Sequence, residues 1–292
     1  MISLVVVTLN RVSELERLFA SLDKQSYKDF EVILVDQNPD DRLVPVLAKH
    51  PDLDIRHLRS GRGLSRGRNV GLPFAKGDII CFPDDDCWYP EDLLETVKEW
   101  FDSHPEFGAL LALMRDENNE AVGPRRPPSP RRCTKKDIWV CGISPNAFLR
   151  RQVTDKIGWF NEDIGVGAAT MYQSGEDLDY FLRPIEAGFQ IWFEPGITVH
   201  HPSFHSPDRL WQRTYTYALG GAYILRLHGF SWWFLAVLVV RSLGGSLVSA
   251  CKGDLRSAQI YLWRIGGLLR GYILGPFDMR RLPRSTAQGF SR

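Results

Sequence analysis

The apolar positions of the first hundred residues alternate between continuous runs and helically spaced stripes. ISLVVVTL (2–9) and FEVILVD (30–36) are short, β-branched runs, which are typical of strands buried on both faces of a sheet. Between them, SELERLFASLDKQ (13–25) has its leucines and phenylalanine at helical spacing. The same pattern predicts further strands in LDIRHLR (53–59) and DIICFPDDD (78–86), and further helices over 63–77 and 89–105.

Buried strands that alternate with helices predict a parallel sheet with right-handed crossover connections. In such sheets, ligands bind beside the carboxyl ends of the strands. Asp36 ends the second predicted strand, and Asp84, Asp85 and Asp86 end the fourth. We therefore expect these four carboxylates to line one cleft.

The overall composition is that of an ordinary globular protein, but the charge is unevenly distributed. The 292 residues are 44% hydrophobic and 24% charged, with a formal net charge of +1. Residues 222–292 contain ten Lys and Arg but only two Asp, which leaves 26 basic and 33 acidic residues in 1–221. We predict an acidic body over 1–221 and a basic, apolar helical tail over 222–292.

The cysteines and the N-terminal run both favour a cytoplasmic protein. The five cysteines are odd in number and form no zinc-type C-x-x-C pair, so we expect buried thiols in a reducing compartment. The run MISLVVVTLNR has no basic segment before its apolar residues, so it predicts a first strand rather than a signal peptide.

Three consecutive carboxylates at a strand end repel one another unless a cation neutralises them. Oxygen ligands with few protein partners suit Mg²⁺ or Mn²⁺, which keep coordination positions open for substrate phosphates. An exposed acidic turn that caps the next helix is the alternative interpretation. The position of the triplet directly after a buried apolar strand favours the metal site.

Five short segments follow one another along the chain in a recognisable order. They are VVVTLNR, EVILVDQN, GLSRGRNVGLPFAKGDIICFPDDD, GEDLDYFLRPIEAGFQIWFEP and HHP. In this order they resemble family 2 glycosyltransferases of the GT-A fold. The resemblance implies an α/β fold with a Rossmann-like mixed sheet flanked by helices, followed here by the helical tail. It also implies an inverting glycosyltransferase that moves a sugar from a nucleotide-diphosphate sugar to an acceptor hydroxyl.

The resemblance assigns the acidic triplet to the DXD motif of that family. Asp86 would bind the divalent cation, Mn²⁺ or Mg²⁺, together with Asp84 and His201. Asp84 would also lie near the donor ribose, and Asp85 would belong to the nucleotide-sugar site. Asp36 would recognise the nucleotide base. A purely structural role is the alternative for His201.

Two further elements would contact the nucleotide. Arginines at a helix entry suit an anionic donor, whereas a surface ion pair is the alternative for the arginine of the second element. Gly67 stands where the family usually has alanine. The residues are Thr8, Asn10 and Arg11 after the first strand, and Arg68 and Asn69 at the helix entry.

The segment GEDLDYF matches the ED motif of the family. Asp177 would be the general base that deprotonates the acceptor hydroxyl, with Glu176 assisting or orienting it. General-base catalysis typically contributes ~10²–10⁴-fold. An acidic helix N-terminus stabilised by the helix dipole is the alternative. WVCGISPNAFLRR (139–151) resembles the segment before the acceptor site and would contact the acceptor.

The tail contains two apolar segments of different character. The first, 230–251, approaches the length of a bilayer span but is interrupted by Arg241 and two glycines. The second, 255–276, mixes apolar residues with arginines and contains no acid, which favours a helix lying on an anionic membrane surface. Packing on the body or on a second subunit is the alternative.

These features together predict an enzyme of cell-envelope glycan synthesis with a glycan or lipid-linked acceptor. It would be cytoplasmic and peripherally associated with the inner face of the cytoplasmic membrane, without a nucleic-acid partner. A non-catalytic nucleotide-sugar-binding or scaffold protein in a glycan assembly complex is the alternative. An NAD-type dehydrogenase is disfavoured, because TLNRVSE rather than G-x-G-x-x-G follows the first strand.

Overall fold

The computed structural model describes residues 1–122, 129–203 and 210–275. The chain divides into two compact units, Met1–Ser206 and Pro207–Arg292. The predicted boundary between residues 221 and 222 instead falls inside one continuous helix, Leu210–Leu227. The helical unit therefore begins earlier than the charge distribution indicates.

Within the described residues, eight strands form one sheet in the first unit. They are β1 (Ile2–Thr8), β2 (Phe30–Asp36), β3 (Ile55–Arg59), β4 (Ile79–Cys81), β5 (Phe107–Arg115), β6 (Arg131–Arg132), β7 (Ala147–Arg150) and β8 (Gln190–His200). The helices of this unit are α1 (Ser13–Asp23), α2 (Val44–Leu47), α3 (Leu64–Gly71), α4 (Leu93–Ser103), α5 (Lys135–Cys141), α6 (Arg151–Ile157) and α7 (Glu176–Glu186). Short 3-10 turns span Leu72–Phe74 and Ser144–Asn146.

The sheet has the order β3-β2-β1-β4-β7-β5-β8-β6. Its first four strands are parallel, as predicted, whereas β7 pairs antiparallel with both β4 and β5. The sheet is therefore mixed, and the predicted α/β fold is confirmed. The register sets Thr8 beside Asp36, and Val7 bridges to Asp84. The acids that follow β2 and β4 thus meet at one edge of the sheet.

The core explains why these strand ends hold their positions. Every residue of β1 and β2 is buried, in agreement with their continuous apolar sequences. Four apolar residues of α1 and four of α4 are buried in the same cluster. Each fully buried side chain of this size contributes about 1.5–3 kcal/mol. The apolar core therefore anchors the elements that carry the acids.

Helix α3 approaches the sheet through glycines. A Cβ atom at Gly67 would lie 2.5 Å from Val7 Cγ1, and one at Gly71 would lie 2.6 Å from Val5 Cγ1. Because neither residue has a side chain, α3 lies directly against β1. This close contact carries Arg68, the neighbour of Gly67, into the buried region at the strand ends.

The described part of the second unit consists of α8 (Leu210–Leu227), α9 (Trp232–Cys251) and α10 (Leu255–Leu274). Helix α10 packs closely on α8, since a Cβ atom at Gly267 would lie 2.5 Å from the carbonyl oxygen of Tyr215. By length and composition, α9 is the one described helix that could cross a membrane. Only 22% of its most apolar 18-residue stretch is buried.

We expect Gly67→Ala to destabilise the first unit by about 1–3 kcal/mol, because the added methyl group would overlap Val7. In a Val7→Ala background the contacts with the Val7 methyl groups disappear, and only the end of the Gln37 side chain remains close, at 3.0 Å. The same substitution should then cost less than about 0.5 kcal/mol. Denaturant unfolding of the four proteins measures this coupling. Gly244→Ala is the matched helical control, since a Cβ atom there meets nothing within 4 Å. Equal costs in both backgrounds would contradict the packing argument.

Candidate active site

The acids at the sheet edge meet arginines supplied by the chain itself. Arg11 Nη1 lies 2.9 Å from Asp85 Oδ1 and also forms an ion pair with Asp86. Arg68 Nη2 lies 3.5 Å from Asp84 Oδ1. Each member of the triplet therefore has a cationic neighbour within the protein. These arginines supply part of the neutralising charge that the sequence assigned to a metal ion.

His201 reaches the triplet because the chain after Asp86 pairs with the end of β8. Trp88 and His200 exchange two backbone hydrogen bonds of 3.1 and 3.0 Å, and their rings stack with centroids 5.2 Å apart. This pairing leaves His201 Nε2 3.3 Å from Asp86 Oδ1 and 3.9 Å from Asp84 Oδ2. The structure thus brings the three predicted metal ligands together.

The chemistry of this donor set fits a divalent cation. His201 Nδ1 donates to the carbonyl of Pro202 at 2.7 Å, so the lone pair of the neutral ring lies at Nε2. Asp86 Oδ1 is buried and makes no well-formed hydrogen bond within the described residues. Neighbouring ligands of Mg²⁺ or Mn²⁺ lie ~3 Å apart, close to the observed separations. Cys87 is also near, but burial raises the pKa of its thiol well above the ordinary value.

Burial raises the pKa of all three acids, but nearby charges change the net shift. The pKa of Asp84 is raised by burial to about 7, and the neighbouring carboxylates add to this shift. Burial also raises the pKa of Asp85 to about 6. For Asp86, burial is outweighed by the attraction of His201 and Arg11, and the net pKa is lowered. Asp86 is therefore the acid of the triplet that stays ionised most readily, as a cation ligand must.

Arg68 contacts both the predicted base, Asp177, and the acidic triplet. Asp177 lies in the first turn of α7, and its side chain is 21% exposed. Its Oδ1 accepts a hydrogen bond from Arg68 Nη1 at 2.9 Å and another from the Ser144 hydroxyl. Its Oδ2 accepts from the backbone N–H of Ser144 at 3.0 Å. One guanidinium therefore contacts both Asp84 and Asp177.

Ser144 is a site residue that the sequence analysis did not identify. It begins a 3-10 turn and is fully buried, and the amide of Asn146 in the same turn donates to the carbonyl of Ala112. The only sequence signal was the resemblance of this segment to one that precedes the acceptor site. In the structure, the turn holds the carboxylate of Asp177, and contact of this segment with an acceptor remains a prediction.

Glu176 is buried beside Asp177 in a space that a glycine leaves open. A Cβ atom at Gly165, which has a φ of +106°, would lie 3.0 Å from the Cβ atom of Glu176. Burial and the charge of Asp177 raise the pKa of Glu176 to about 8. The neutral form of Glu176 is therefore favoured at pH 7, and its predicted assisting role remains a prediction.

Asp36 lies at the expected edge, but both of its oxygens already have partners. Oδ1 accepts hydrogen bonds from the backbone and the side-chain amide of Asn38 at 2.8 and 2.7 Å. Oδ2 lies 3.1 Å from His57 Nε2 and 3.4 Å from Arg59 Nη1. A nucleotide base would have to displace one of these contacts. Base recognition by Asp36 remains a prediction.

The other predicted nucleotide-binding residues divide into two groups. Thr8 is buried and its hydroxyl donates to the carbonyl of Arg11 at 3.5 Å, while Asn10, two residues later, has a left-handed φ of 61°. The side-chain amide of Asn69 donates to the carbonyl of Phe160 at 3.0 Å and accepts from its N–H at 2.8 Å. The structure thus brings Thr8 and Asn10 to the acidic edge, whereas Asn69 anchors the Phe160 loop.

Comparison with known proteins gives a consistent pattern. A family model described as "Glycosyl transferase family 2" matches residues 3–158. An uncharacterized glycosyltransferase from Haemophilus influenzae is 28% identical over 206 residues, which cover 68% of this chain and 65% of that protein. The GalNAc(5)-diNAcBac-PP-undecaprenol beta-1,3-glucosyltransferase of Campylobacter jejuni is 34% identical over 122 residues, 40% of this chain and 34% of that protein. The chain thus spans less than two thirds of both relatives.

Solved structures share the fold at low sequence identity. S. aureus TarS 1-349 has a TM-score of 0.59 and 19% identity, covering 91% of both chains. The mannosyltransferase PcManGT from Pyrobaculum calidifontis, in complex with GDP-Man and Mn2+, has a TM-score of 0.57 and 17% identity, covering 92% of this chain and 73% of that one. These likenesses confirm the predicted architecture.

We expect Glu176→Gln to stabilise the protein in a pH-dependent way. The native carboxyl keeps its proton up to about pH 8, whereas the ordinary pKa is 4.5. The wild-type group therefore lowers stability as the pH rises between these values, and the amide removes that loss. Unfolding free energies from urea titration should differ by at least about 1 kcal/mol at pH 8.5 and little at pH 4.5. The exposed Glu91→Gln is the control, and equal effects of Glu176→Gln at both pH values would contradict a neutral native carboxyl.

Proposed function

Because the chain belongs to glycosyl transferase family 2, we propose that it transfers a sugar from a nucleotide-diphosphate sugar to an acceptor hydroxyl with inversion. The observation that supports this most directly is the contact of one guanidinium with both Asp84 and Asp177. This contact would keep the acids proposed to bind the cation and the candidate base within one site, as a direct displacement requires.

The donor would bind at the carboxyl edge of the sheet. Asp86, Asp84 and His201 would hold Mn²⁺ or Mg²⁺, and PcManGT, which shares the fold, was solved with GDP-Man and Mn2+. When bound, the ion would stabilise the negative charge that develops on the leaving nucleoside diphosphate. Arg11, which is partly exposed beside the triplet, would donate to the diphosphate oxygens.

Asp177 would act as the base toward the acceptor. Its carboxylate is held by Arg68 and Ser144 and remains partly exposed, so a hydroxyl can approach it. The acceptor oxygen would bond to the anomeric carbon as the bond from that carbon to the diphosphate breaks. The hydroxyl proton would pass to Asp177. The acceptor would be a glycan or a lipid-linked sugar, in keeping with the undecaprenol-linked substrate named for the C. jejuni relative.

We expect Asp177→Asn to lower kcat by ~10²–10⁴-fold while donor binding is largely retained. Asp86→Asn should instead weaken Mn²⁺ binding, measured by titration. Glu91→Gln, which changes an exposed acid outside the site, is the control and should keep the turnover. Release of nucleoside diphosphate from UDP-GlcNAc, UDP-glucose and GDP-mannose, with Mn²⁺ and a lipid-linked acceptor panel, measures activity.

Two outcomes would contradict this proposal. Full turnover by Asp177→Asn would exclude the residue as the base. Mn²⁺-dependent donor binding by the wild-type protein, with no turnover across the panel, would favour a nucleotide-sugar-binding scaffold protein instead.

We also propose that the unit formed by α8, α9 and α10 associates with the cytoplasmic membrane surface. Residues 210–275 contain seven Arg or Lys and one Asp, which suits anionic lipid. The sequence favoured α10 as the lipid-contacting helix, and α10 packs on α8 through its glycines while six of its large apolar side chains remain exposed. Helix α9 likewise exposes Trp233, Val240 and Leu247 at 62%, 65% and 68%.

We expect Val240→Glu to weaken membrane binding by at least ~10-fold, because it places a charge on the exposed apolar side of α9. The vesicles would contain phosphatidylcholine with about 30% phosphatidylglycerol. Val44→Glu, at a valine of the first unit that is 52% exposed, is the matched control and should leave binding unchanged. Co-sedimentation measures the affinity. Unchanged vesicle binding combined with loss of self-association in Val240→Glu would assign this surface to a second copy of the chain.

A further inference from the structure

Arg68 is a buried arginine whose two terminal nitrogens contact acids of two different motifs. Its side chain is 2% exposed, so the surface ion pair considered from the sequence does not apply. A buried guanidinium is stable only when it is paired and hydrogen-bonded. Nη1 contacts Asp177 at 2.9 Å, and Nη2 lies 3.5 Å from Asp84. Arg68 and Asp177 are 109 residues apart along the chain.

Two aromatic rings pack beside the guanidinium and restrict its rotation. Its central carbon lies 5.0 Å from the Phe160 ring centroid and 6.0 Å from that of Phe82. Phe160 stacks on Tyr180 at 3.7 Å with an interplanar angle of 4°. Asn69, next to Arg68 in sequence, holds the Phe160 backbone through two hydrogen bonds. The direction of both Nη atoms is therefore set by packing.

The contacts of Asp177 show what this fixed arginine does for the base. A carboxylate held only by the Ser144 turn would keep two donors from a single residue. Arg68 adds the only cationic contact to Asp177 in the described part of the chain, from a different element of the fold. Its second contact, to Asp84, relates the orientation of the base to the donor end of the site.

We propose that Arg68 is a positioning residue for sugar transfer, which orients Asp177 and keeps it in register with Asp84. Because its side chain is buried, it acts through its contacts with the two carboxylates and not by binding the nucleotide. This inference rests on the proposed function, since it assigns the base to Asp177. Bidentate geometry is essential to it, because a lysine ammonium at this position would reach one carboxylate but not hold both.

A double-mutant cycle between Arg68→Met and Asp177→Asn tests the inference. Alone, Arg68→Met should lower kcat by about 10–100-fold and change the donor KM by less than about 3-fold. This loss of kcat lies within the contribution of general-base catalysis, because Arg68 acts only through the base. In the Asp177→Asn background the same change should lower kcat less than about 3-fold, because the residue through which it acts is already disabled. Arg68→Lys should lie between Arg68→Met and wild type.

Arg150→Met is the matched control. Arg150 also lies over a ring, that of Phe101 at 4.8 Å, and donates to the carbonyls of Phe101, His104 and Phe107, but it contacts neither site acid. It should lower stability without a comparable loss of kcat. A crystal structure of the Arg68 variant provides a readout apart from turnover, with the Asp177 carboxylate expected to leave its wild-type orientation.

The outcomes separate the inference from the proposed function. If Asp177→Asn alone keeps full turnover, the base assignment fails. If Asp177→Asn is inactive but Arg68→Met has the same fold effect in both backgrounds, or leaves Asp177 in place in the crystal, only the positioning role fails. Should Arg68→Met not fold, Arg68→Lys replaces it in the cycle, and full kcat in that variant overturns the inference.

Discussion

The pairing of one buried guanidinium with two carboxylates is the interaction on which the site depends. Removing one partner of a buried ion pair typically costs about 3–5 kcal/mol, because the remaining charges lose their compensation. Arg68 can make this pairing only if α3 lies directly on β1, and the glycine at position 67 permits that approach. A constraint on backbone packing thus becomes a constraint on the relative position of Asp84 and Asp177. The stability of the site and its geometry are consequences of the same contacts.

Charge balance explains how so many acids are accommodated at one edge of the sheet. Arg11, Arg59 and Arg68 each lie beside one or more of the carboxylates. Burial raises the pKa of Asp84 to about 7 and that of Glu176 to about 8, so the edge carries less negative charge near pH 7 than its formal count. The folded chain therefore accommodates these acids through internal cations and protonation. Under the proposed function, this balance would allow a dication and a charged donor to bind and leave in each cycle.

Much of this arrangement could be predicted from local sequence, because strand position and residue type determine it. The apolar runs located β1 and β2, and the acids after the strands indicated the edge at which they meet. Three features depend on contacts between distant segments and had no local signal. The pairing of Trp88 with His200 brings His201 to Asp86, the Ser144 turn holds Asp177, and Arg68 joins residues from two motifs. The 3.6-residue and two-residue periodicities report burial, not partners, so they could not reveal these contacts.

The same limit applies to the tail, where apolar and basic composition does not show how the helices pack. Both apolar segments form helices, and the arginines of the second made it the better candidate for an anionic surface. Small residues determine the packing, since Gly267 and Gly271 allow α10 to lie against the backbone of α8. Both α9 and α10 nevertheless keep large apolar side chains exposed. A hydrophobic stripe thus shows that a helix has an apolar face, while the positions of its glycines show which side of the helix packs closely within its own unit.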